Sequence, residues 1–300
     1  MSGLVLLAPD FALIALGALL MRYGRFDTGF WIGVERLVYF ILFPALLFHS
    51  IVRTPFDFAK TGALVEAGLA GIAIGAALGY AARRFVRDDR LWASAVQCAF
   101  RFNSYIALAL ANRLGAEAGT AFMAILIGVA VPICNALAVI ALSRHSPHGL
   151  LRELARNPLL IATITGLACN FAGLVLPEPV AATLARLGSA SIALGLIAVG
   201  AGLRLQGLRE APVFAGYITF IKLVAVPAAA LGTGWWLGLN GLQLQIVVLF
   251  GALPTASSAY ILAQRMGGNG AVVAVLISLG TVVSAITVPL WLALARLVAA

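Results

Sequence analysis

Charged side chains are scarce in this sequence. Asp, Glu, Lys and Arg make up 10% of its residues, whereas hydrophobic residues make up 62%. A soluble chain carries about 25% charged residues, which it needs to present a polar surface to water. The shortage of charge excludes an ordinary water-soluble fold and predicts a chain that crosses a membrane several times.

Acidic residues are fewer than basic ones, 11 against 20. In a soluble protein such an excess suggests a nucleic-acid partner. Here the basic residues lie mainly between apolar stretches, where they set the orientation of membrane helices. We therefore expect a lipid bilayer around the protein and no nucleic acid among its partners.

Sequence motifs of enzymes and of disulfide-bonded proteins are missing. Cys98, Cys134 and Cys169 all lie within apolar stretches, which is not the pattern of a disulfide framework. No Gly-x-Ser-x-Gly, His-Glu-x-x-His or Cys-x-x-Cys motif occurs. We predict a protein that is not an enzyme, with no catalytic residue, no metal site and no cofactor.

Long apolar stretches dominate what is present. A bilayer core requires roughly 20 apolar residues per helix, and these stretches have that length. The pattern predicts an all-α membrane protein with ten transmembrane helices, at residues 4–21, 34–52, 61–82, 91–112, 119–142, 157–175, 186–204, 212–236, 242–264 and 270–296.

The connections between these spans differ in charge. If the N-terminus is external, twelve basic residues fall in the cytoplasmic connections and five on the external side. Cytoplasmic connections of membrane proteins carry the excess of Lys and Arg. The bias predicts that both termini are external.

Two similar segments indicate an internal repeat. Ala111–Gly115 ends the fourth span and Ala263–Gly267 ends the ninth, and the same shift of 152 residues places Asn103 on Thr255 and Asn135 on Thr287. The repeat predicts a first five-helix half at 1–145, a cytoplasmic connection at 146–156 and a second half at 157–300. An odd number of helices per half inverts the second copy. A chance match between alanine-rich helices is the alternative.

Polar residues interrupt the fourth and ninth spans at repeat-related places, at residues 101–105 and 254–258. Pro254 has no N–H and leaves the carbonyl of Phe250 without its helical donor. Two helices broken at mid-membrane would direct positive helix ends toward one place, and such a place favours an anion. A satisfied helix kink is the alternative at each interruption.

Several motifs resemble the auxin efflux carrier family along nearly the whole chain. They are Phe43–Phe48, Arg101–Ser104, Pro132–Asn135, Leu253–Tyr260, Ser278–Thr281 and Ser284–Pro289. The resemblance implies a five-plus-five inverted repeat with broken, crossing helices 4 and 9, like the bile acid and sodium symporter fold. It also implies a scaffold part, a transport part and alternating access, with Asn103 contacting the substrate and Pro254 and Thr255 at the second crossing helix. Bacterial members of the family suggest the bacterial inner membrane.

The predicted substrate site combines these residues. It contains Asn103, Ser104, Arg101, Pro254, Thr255, Ser257, Ser258, Asn135 and Thr287. Arg101 lies two residues before Asn103, which on a helix means about 200° around the axis. Arg101 therefore binds the anion directly, anchors the broken helix or extends its charged end toward the membrane surface.

Charged residues inside other spans are candidates for ion coupling. Glu66 and Lys222 lie within the third and eighth spans, where each needs a partner or a water-filled cavity. A structural ion pair and a coupling site are both open, and Thr281 and Ser284 are further candidates. The coupling ion is H+ or Na+. Gly71, Gly75 and Gly79 recur every four residues, which is typical of closely packed helices.

These observations favour a secondary active transporter of small organic anions, mono- or dicarboxylates. The family resemblance implies malonate or malate as examples. A sodium-coupled carrier of larger amphipathic acids and a non-transporting membrane sensor on the same fold are the alternatives. A membrane-embedded lipid enzyme is less favoured because the sequence shows no catalytic cluster. A homodimer is left open.

Overall fold

The computed structural model describes residues 3–53, 58–142, 158–202, 212–239, 241–256 and 258–299. Within these ranges the chain forms helices and turns and contains no strand. The all-α prediction is confirmed for this part of the chain. The predicted connection 146–156 lies outside it.

The first half contains α1 (Gly3–Tyr23), α2 (Thr28–Leu37), α3 (Phe43–Arg53), α4 (Phe58–Ala81), α5 (Asp89–Ala95) and α6 (Ser104–Leu142). The second half contains α7 (Pro158–Phe171), α8 (Glu178–Ala201), α9 (Pro212–Phe220), α10 (Val226–Trp236), α11 (Gly241–Ala252), α12 (Ser258–Arg265) and α13 (Gly270–Ala299).

Some of these helices are parts of longer rods. A π-helical turn, Val38–Leu42, joins α2 to α3, and a second, Ile221–Ala225, joins α9 to α10. A 3-10 turn, Val96–Ala99, continues α5. Helix α6 is interrupted at Gly115 and Ala116, where the backbone leaves the helical region.

Six helical rods in the described residues are long and apolar enough to cross a membrane. They are Thr28–Arg53, Thr61–Arg84, Asp89–Leu142, Glu178–Ala201, Pro212–Trp236 and Gly270–Ala299. Asp89–Leu142 contains non-helical residues at 100–103 and at Gly115 and Ala116. The protein is therefore a multi-pass membrane protein.

Two rods begin earlier than the apolar pattern predicts. The second span starts at Thr28 and not at 34, because the Oδ1 of Asp27 accepts the N–H of Phe30 at 2.8 Å and caps the helix. The seventh starts at Glu178 and not at 186, directly after Pro177, which is compatible with a helix start.

The helices pack as two groups. The first packed group consists of α1, α2, α3, α7 and α8, in which α1 lies against α8 and α3 lies against α7 and α8. The second packed group consists of α4, α5, α6 and α9 to α13, with α11 in contact with α4, α6, α10 and α13. The groups meet where α6 packs on α3, α7 and α8, and where α1 meets α13.

Glycines on α4 bring this helix close to its neighbours. A Cβ at Gly75 would lie 2.6 Å from the carbonyl oxygen of Ala99 and 2.8 Å from a methyl group of Val226, and one at Gly79 would lie 3.0 Å from the Cβ of Ala99. A Cβ at Gly71 would lie 3.1 Å from the carbonyl oxygen of Val226. The prediction that these glycines serve helix packing is confirmed, and the contact places α4 beside the interrupted end of α5.

Candidate functional site

The chain leaves helical geometry at two places that touch each other. Residues 100–103 separate the 3-10 turn after α5 from α6, and residues 253–256 follow α11. The N–H of Asn103 donates to the carbonyl of Pro254 at 2.8 Å. The two interruptions therefore meet in the interior of the second packed group, and we call this place the crossing.

Further hydrogen bonds join the two sides of the crossing. The hydroxyl of Thr255 donates to the carbonyl of Cys98 at 2.9 Å, and the Nε2 of Gln97 donates to the carbonyl of Ala259 at 3.2 Å. Broken helices leave carbonyl groups without their helical donors, and in a membrane these groups need partners within the protein. Each interruption supplies donors to the other.

Asn103 has a local role in addition to its place at the crossing. Its Oδ1 accepts the N–H groups of Tyr105 at 2.9 Å and Ile106 at 3.3 Å, and its side chain is almost completely buried. Asn is among the preferred residues at this capping position of a helix. The cap uses two of the backbone N–H groups that the sequence analysis expected to bind an anion. Fewer N–H donors are therefore free at the start of α6 than predicted.

Arg101 reaches across the crossing. Its Nη2 donates to the hydroxyl of Ser258 at 3.1 Å, and its Nη1 lies 3.5 Å from the Oε1 of Gln97. The chain is not helical from Arg101 to Asn103, so the predicted separation of about 200° for two helical residues does not apply. These contacts are those expected of an anchor, and direct binding of an anion by Arg101 stays a prediction.

The other predicted site residues lie in different surroundings. Pro254 and Thr255 are buried, Ser104 and Asn135 are half-buried, and Ser258 is exposed. Thr287 on α13 is half-buried, and its hydroxyl oxygen is buried without a hydrogen-bond partner. Ser257 lies outside the described residues.

Lys222 is the most deeply buried charged side chain among the described residues, at 3% exposure. It lies on the π-helical turn between α9 and α10, and its ammonium donates to the carbonyl of Gly251 at 2.8 Å. Gly251 is close to the end of α11, where the helix leaves carbonyls without internal donors. Lys222 therefore satisfies one carbonyl at the crossing.

Glu66 does not pair with Lys222. Its side chain is exposed on α4, and Lys222 is buried against α11. The ion pair left open by the sequence is absent between these two described residues. The hydroxyls of Thr281 and Ser284 are satisfied within α13, by the carbonyls of Ile277 at 2.8 Å and of Thr281 at 2.7 Å respectively.

A small cavity of about 10 Å³ lies beside Lys222 and has room for about one water molecule. Its lining consists of Cys98, Ile218, Thr219, Lys222, Leu223, Thr255, Leu276 and Gly280. The hydroxyl oxygen of Thr219 is buried and has no hydrogen-bond partner. The cavity connects the crossing with α9 and α13.

Sequence reasoning missed Gln97 and Thr219. Gln97 is fully buried and contacts both Arg101 and Ala259. A lone amide inside an apolar span, four residues before a buried Arg, is a signal that would have identified it. Thr219 carries no such signal, because a single threonine in a membrane helix usually bonds to its own backbone.

Comparison with known proteins places these features in a family. The sequence profile described as membrane transport protein matches residues 141–292. A Rhizobium meliloti protein with the provisional name of a malonate transporter is 27% identical over 290 residues, covering 89% of this chain and 87% of that protein. An uncharacterized transporter of Methanothermobacter thermautotrophicus is 25% identical, covering 97% of this chain and 95% of that protein. The uncharacterized transporter YfdV of Escherichia coli is 28% identical over 155 residues, about half of each chain. The chain belongs to the membrane transport protein family, the auxin efflux carrier family.

Proposed function

We propose that this protein is a secondary active carrier of small organic anions, with a substrate site at the crossing. The observation that carries the proposal is the sign of the buried charge. Of the Asp, Glu, Lys and Arg side chains in the described residues, the buried ones are Arg101 and Lys222, both positive and both bonded at the crossing. Buried charge of one sign in a low-dielectric interior attracts the opposite charge strongly.

Carboxylates are the proposed substrate class, with malonate first among them. The name of the Rhizobium meliloti relative supports this choice. The half-buried hydroxyl of Ser104 is a donor next to the crossing, and the half-buried Asn135 follows Cys134, whose thiol donates to the carbonyl of Phe100 at the crossing. Carboxylates accept several hydrogen bonds at once, and small polar donors of this kind suit them.

The proposed architecture is an inverted repeat of two five-helix halves, 1–145 and 157–300, joined by a cytoplasmic connection at 146–156. Helix positions support it, because a shift of 152 residues places Asp89, the start of α5, on Gly241, the start of α11. The same shift places Asn103, which precedes α6, on Thr255, which precedes α12. The repeat then makes ten spans, with α5–α6 and α11–α12 as the broken pair.

Alternating access is the proposed mechanism. The first packed group serves as scaffold, the second carries the crossing and the substrate, and movement between them exposes the site to either side. The excess of basic residues in the odd-numbered connections supports external termini in the bacterial inner membrane. A homodimer in the bilayer is compatible with this arrangement.

Transport by Asn103 variants tests the site. Purified protein in liposomes preloaded with malonate is expected to show saturable counterflow of labelled malonate. Asn103→Asp keeps a good helix cap, yet its negative charge is expected to weaken malonate binding about tenfold, which corresponds to roughly 1.4 kcal/mol. Asn103→Ala, unlike Asn103→Asp, is expected to lose the helix cap, which lowers the free energy of unfolding by about 1 kcal/mol.

The matched control is Asn112→Asp, the same substitution further along α6. Asn112 donates to the hydroxyl of Thr120 at 3.2 Å, away from the crossing, so counterflow is expected to be nearly normal. If Asn103→Asp transports malonate with unchanged affinity, Asn103 does not belong to the substrate site. If the native protein shows no saturable counterflow with any small carboxylate, the carrier proposal itself is wrong.

A further inference from the structure

Lys222 occupies a position that a bound cation would otherwise favour. Its ammonium lies 2.8 Å from the carbonyl of Gly251, at the C-terminal end of α11. The end of a helix carries unsatisfied carbonyls and the equivalent of about half a negative charge. In this chain the covalently attached ammonium supplies the positive charge there.

The cavity beside Lys222 provides a place for a proton carrier. It has room for about one water molecule, and the unpartnered hydroxyl of Thr219 and the hydroxyl of Thr255 both line it. A buried polar atom without a partner commonly marks an ordered water. One water in this cavity would lie among the Lys222 ammonium and the two hydroxyls.

Within the described part of the chain, the elements packed around Lys222 supply no carboxylate to it. Cys98 on the 3-10 turn after α5 lines the cavity, and Cys134 on α6 is the other ionisable neighbour of Lys222 among the described residues. On α4, Glu66 is exposed and does not contact Lys222. The cavity-lining residues on α13, Leu276 and Gly280, are uncharged, and α11 carries no ionisable residue. A metal cation at this place would meet a like charge and find no anionic ligand.

We propose that Lys222 is the proton-coupling group of the carrier and that the transport cycle uses H+ and no Na+. The inference rests on the proposed carrier function. In the loaded state the Lys222 ammonium balances one negative charge of the substrate. After the anion leaves, the ammonium gives one proton to the cavity water, which passes it to the aqueous side.

The empty carrier then returns to its starting orientation with Lys222 as a neutral amine. The amine keeps an N–H for the carbonyl of Gly251, so the end of α11 stays satisfied in both states. Desolvation of an unpaired charge is costly, and the neutral amine avoids that cost in the empty carrier. Reprotonation on the other side prepares the site for the next anion.

Accumulation of malonate in liposomes tests this cycle. The liposome interior is made one pH unit more alkaline than the outside, at zero membrane potential. With one proton carried per malonate, this tenfold H+ ratio supplies about 1.4 kcal/mol and is expected to drive about tenfold accumulation of malonate inside. Protein-free liposomes correct for passive diffusion of the acid. Replacement of Na+ by choline is expected to leave accumulation unchanged, and a requirement for Na+ would overturn the proposal.

Two substitutions at Lys222 separate coupling from transport. Lys222→Met removes the ionisable group, and Lys222→Arg keeps a charge that is not released. Lys222→Arg keeps the charge that balances the substrate and is expected to retain malonate counterflow, which needs no empty return step. Lys222→Met removes that charge and is expected to bind malonate about tenfold more weakly, with counterflow retained at saturating malonate. Both variants are expected to lose accumulation driven by the pH gradient. Lys60→Met, the same change at the other lysine of the chain, is the control and is expected to accumulate malonate normally.

The outcomes distinguish the coupling inference from the carrier proposal. Accumulation driven by the pH gradient in either Lys222 variant would overturn the coupling role and leave the carrier proposal intact. Loss of counterflow in Lys222→Arg, in protein that remains folded and monodisperse, would mean that translocation itself needs the lysine, and this result would also overturn the coupling role. Absence of counterflow in the native protein contradicts the carrier proposal.

Discussion

At the crossing, individual residues replace the hydrogen bonds that two broken helices lose. The backbone N–H of Asn103, the hydroxyl of Thr255 and the ammonium of Lys222 each donate to a carbonyl near the end of the opposite or adjoining helix. An unsatisfied backbone group costs several kcal/mol in a membrane. These three donors therefore stabilise the fold at the place where we propose that the substrate binds.

Substitution of Thr255 tests this stabilising role. Thr255→Val keeps the shape of the side chain and removes the donor to the carbonyl of Cys98, which is buried. A buried acceptor left without a partner costs about 1–3 kcal/mol, so the thermal midpoint of the purified protein is expected to fall. Thr255→Ser keeps the hydroxyl and is expected to lose much less.

Thr183→Val is the matched control for this change. Thr183 is exposed on α8, and its hydroxyl donates to the carbonyl of Pro179 within the same helix. The substitution is expected to leave the midpoint nearly unchanged. Equal stability of Thr255→Val and the native protein would show that the hydroxyl of Thr255 does not hold the crossing together.

The sequence predicted part of this arrangement at the level of residues. The repeat placed Asn103 opposite Thr255, and the structure brings their neighbourhoods into contact through Pro254. The cap made by Asn103 was not predicted, although Asn before an apolar helical stretch is a start signal. The contact between Gln97 and Ala259 was not predicted either, since the two residues are 162 positions apart and no local pattern relates them.

At the scale of elements, the close packing of α4 depends on glycine. Gly75→Ala adds a methyl group 2.6 Å from the carbonyl oxygen of Ala99, which is backbone and has little freedom to move. Overpacking of this kind typically costs about 1–3 kcal/mol, so we expect a lower thermal midpoint. The transport assay is expected to show reduced activity only to the extent that folded protein is lost.

Gly62→Ala on the same helix is the control. A Cβ at Gly62 meets no atom within 4 Å. Alanine is the better helix former by about 1 kcal/mol, so the control is expected to be neutral or slightly stabilising. A stable Gly75→Ala variant would mean that α4 and the 3-10 turn after α5 can separate without cost.

Helix positions followed from the sequence more readily than their irregularities. Apolar length located the helical rods, and Pro254 together with the polar run from Arg101 located the two interruptions. The π-helical turn at Val38–Leu42 has no charged residue, the one at Ile221–Ala225 is apolar apart from Lys222, and neither contains Gly. Because tertiary packing decides such turns, the periodicity of the sequence did not predict them.

At the scale of the whole molecule, the grouping of helices reflects long-range contacts that hydropathy does not encode. Apolar stretches of similar composition, such as α1 and α11, belong to different packed groups. The family resemblance implied a division into scaffold and transport parts, and the two packed groups are the units to which we assign these roles.

An ion pair spans the boundary between the two packed groups. Arg53, at the end of α3, lies 3.2 Å from Glu117 on α6, and both side chains are about half exposed. Exposed ion pairs contribute about 0–1 kcal/mol, so this one is more useful as a marker of the interface than as a source of stability. If the groups move during transport, the distance between these residues must change.

Cross-linking of this pair tests the movement. The test is the double variant Arg53→Cys and Glu117→Cys in a background without the native cysteines, joined by a short bifunctional reagent that forms a disulfide with each thiol. The cross-linked protein is expected to lose malonate counterflow and to regain it when the disulfides are reduced. The control pair is Arg83→Cys and Asp89→Cys, which replaces an ion pair of 3.3 Å within the second packed group. Because both of its positions would move together, cross-linking there is expected to leave counterflow unchanged.

Normal counterflow with the first pair fully cross-linked would mean that the substrate crosses without separation of α3 from α6. Alternating access by movement of the two groups would then have to be abandoned.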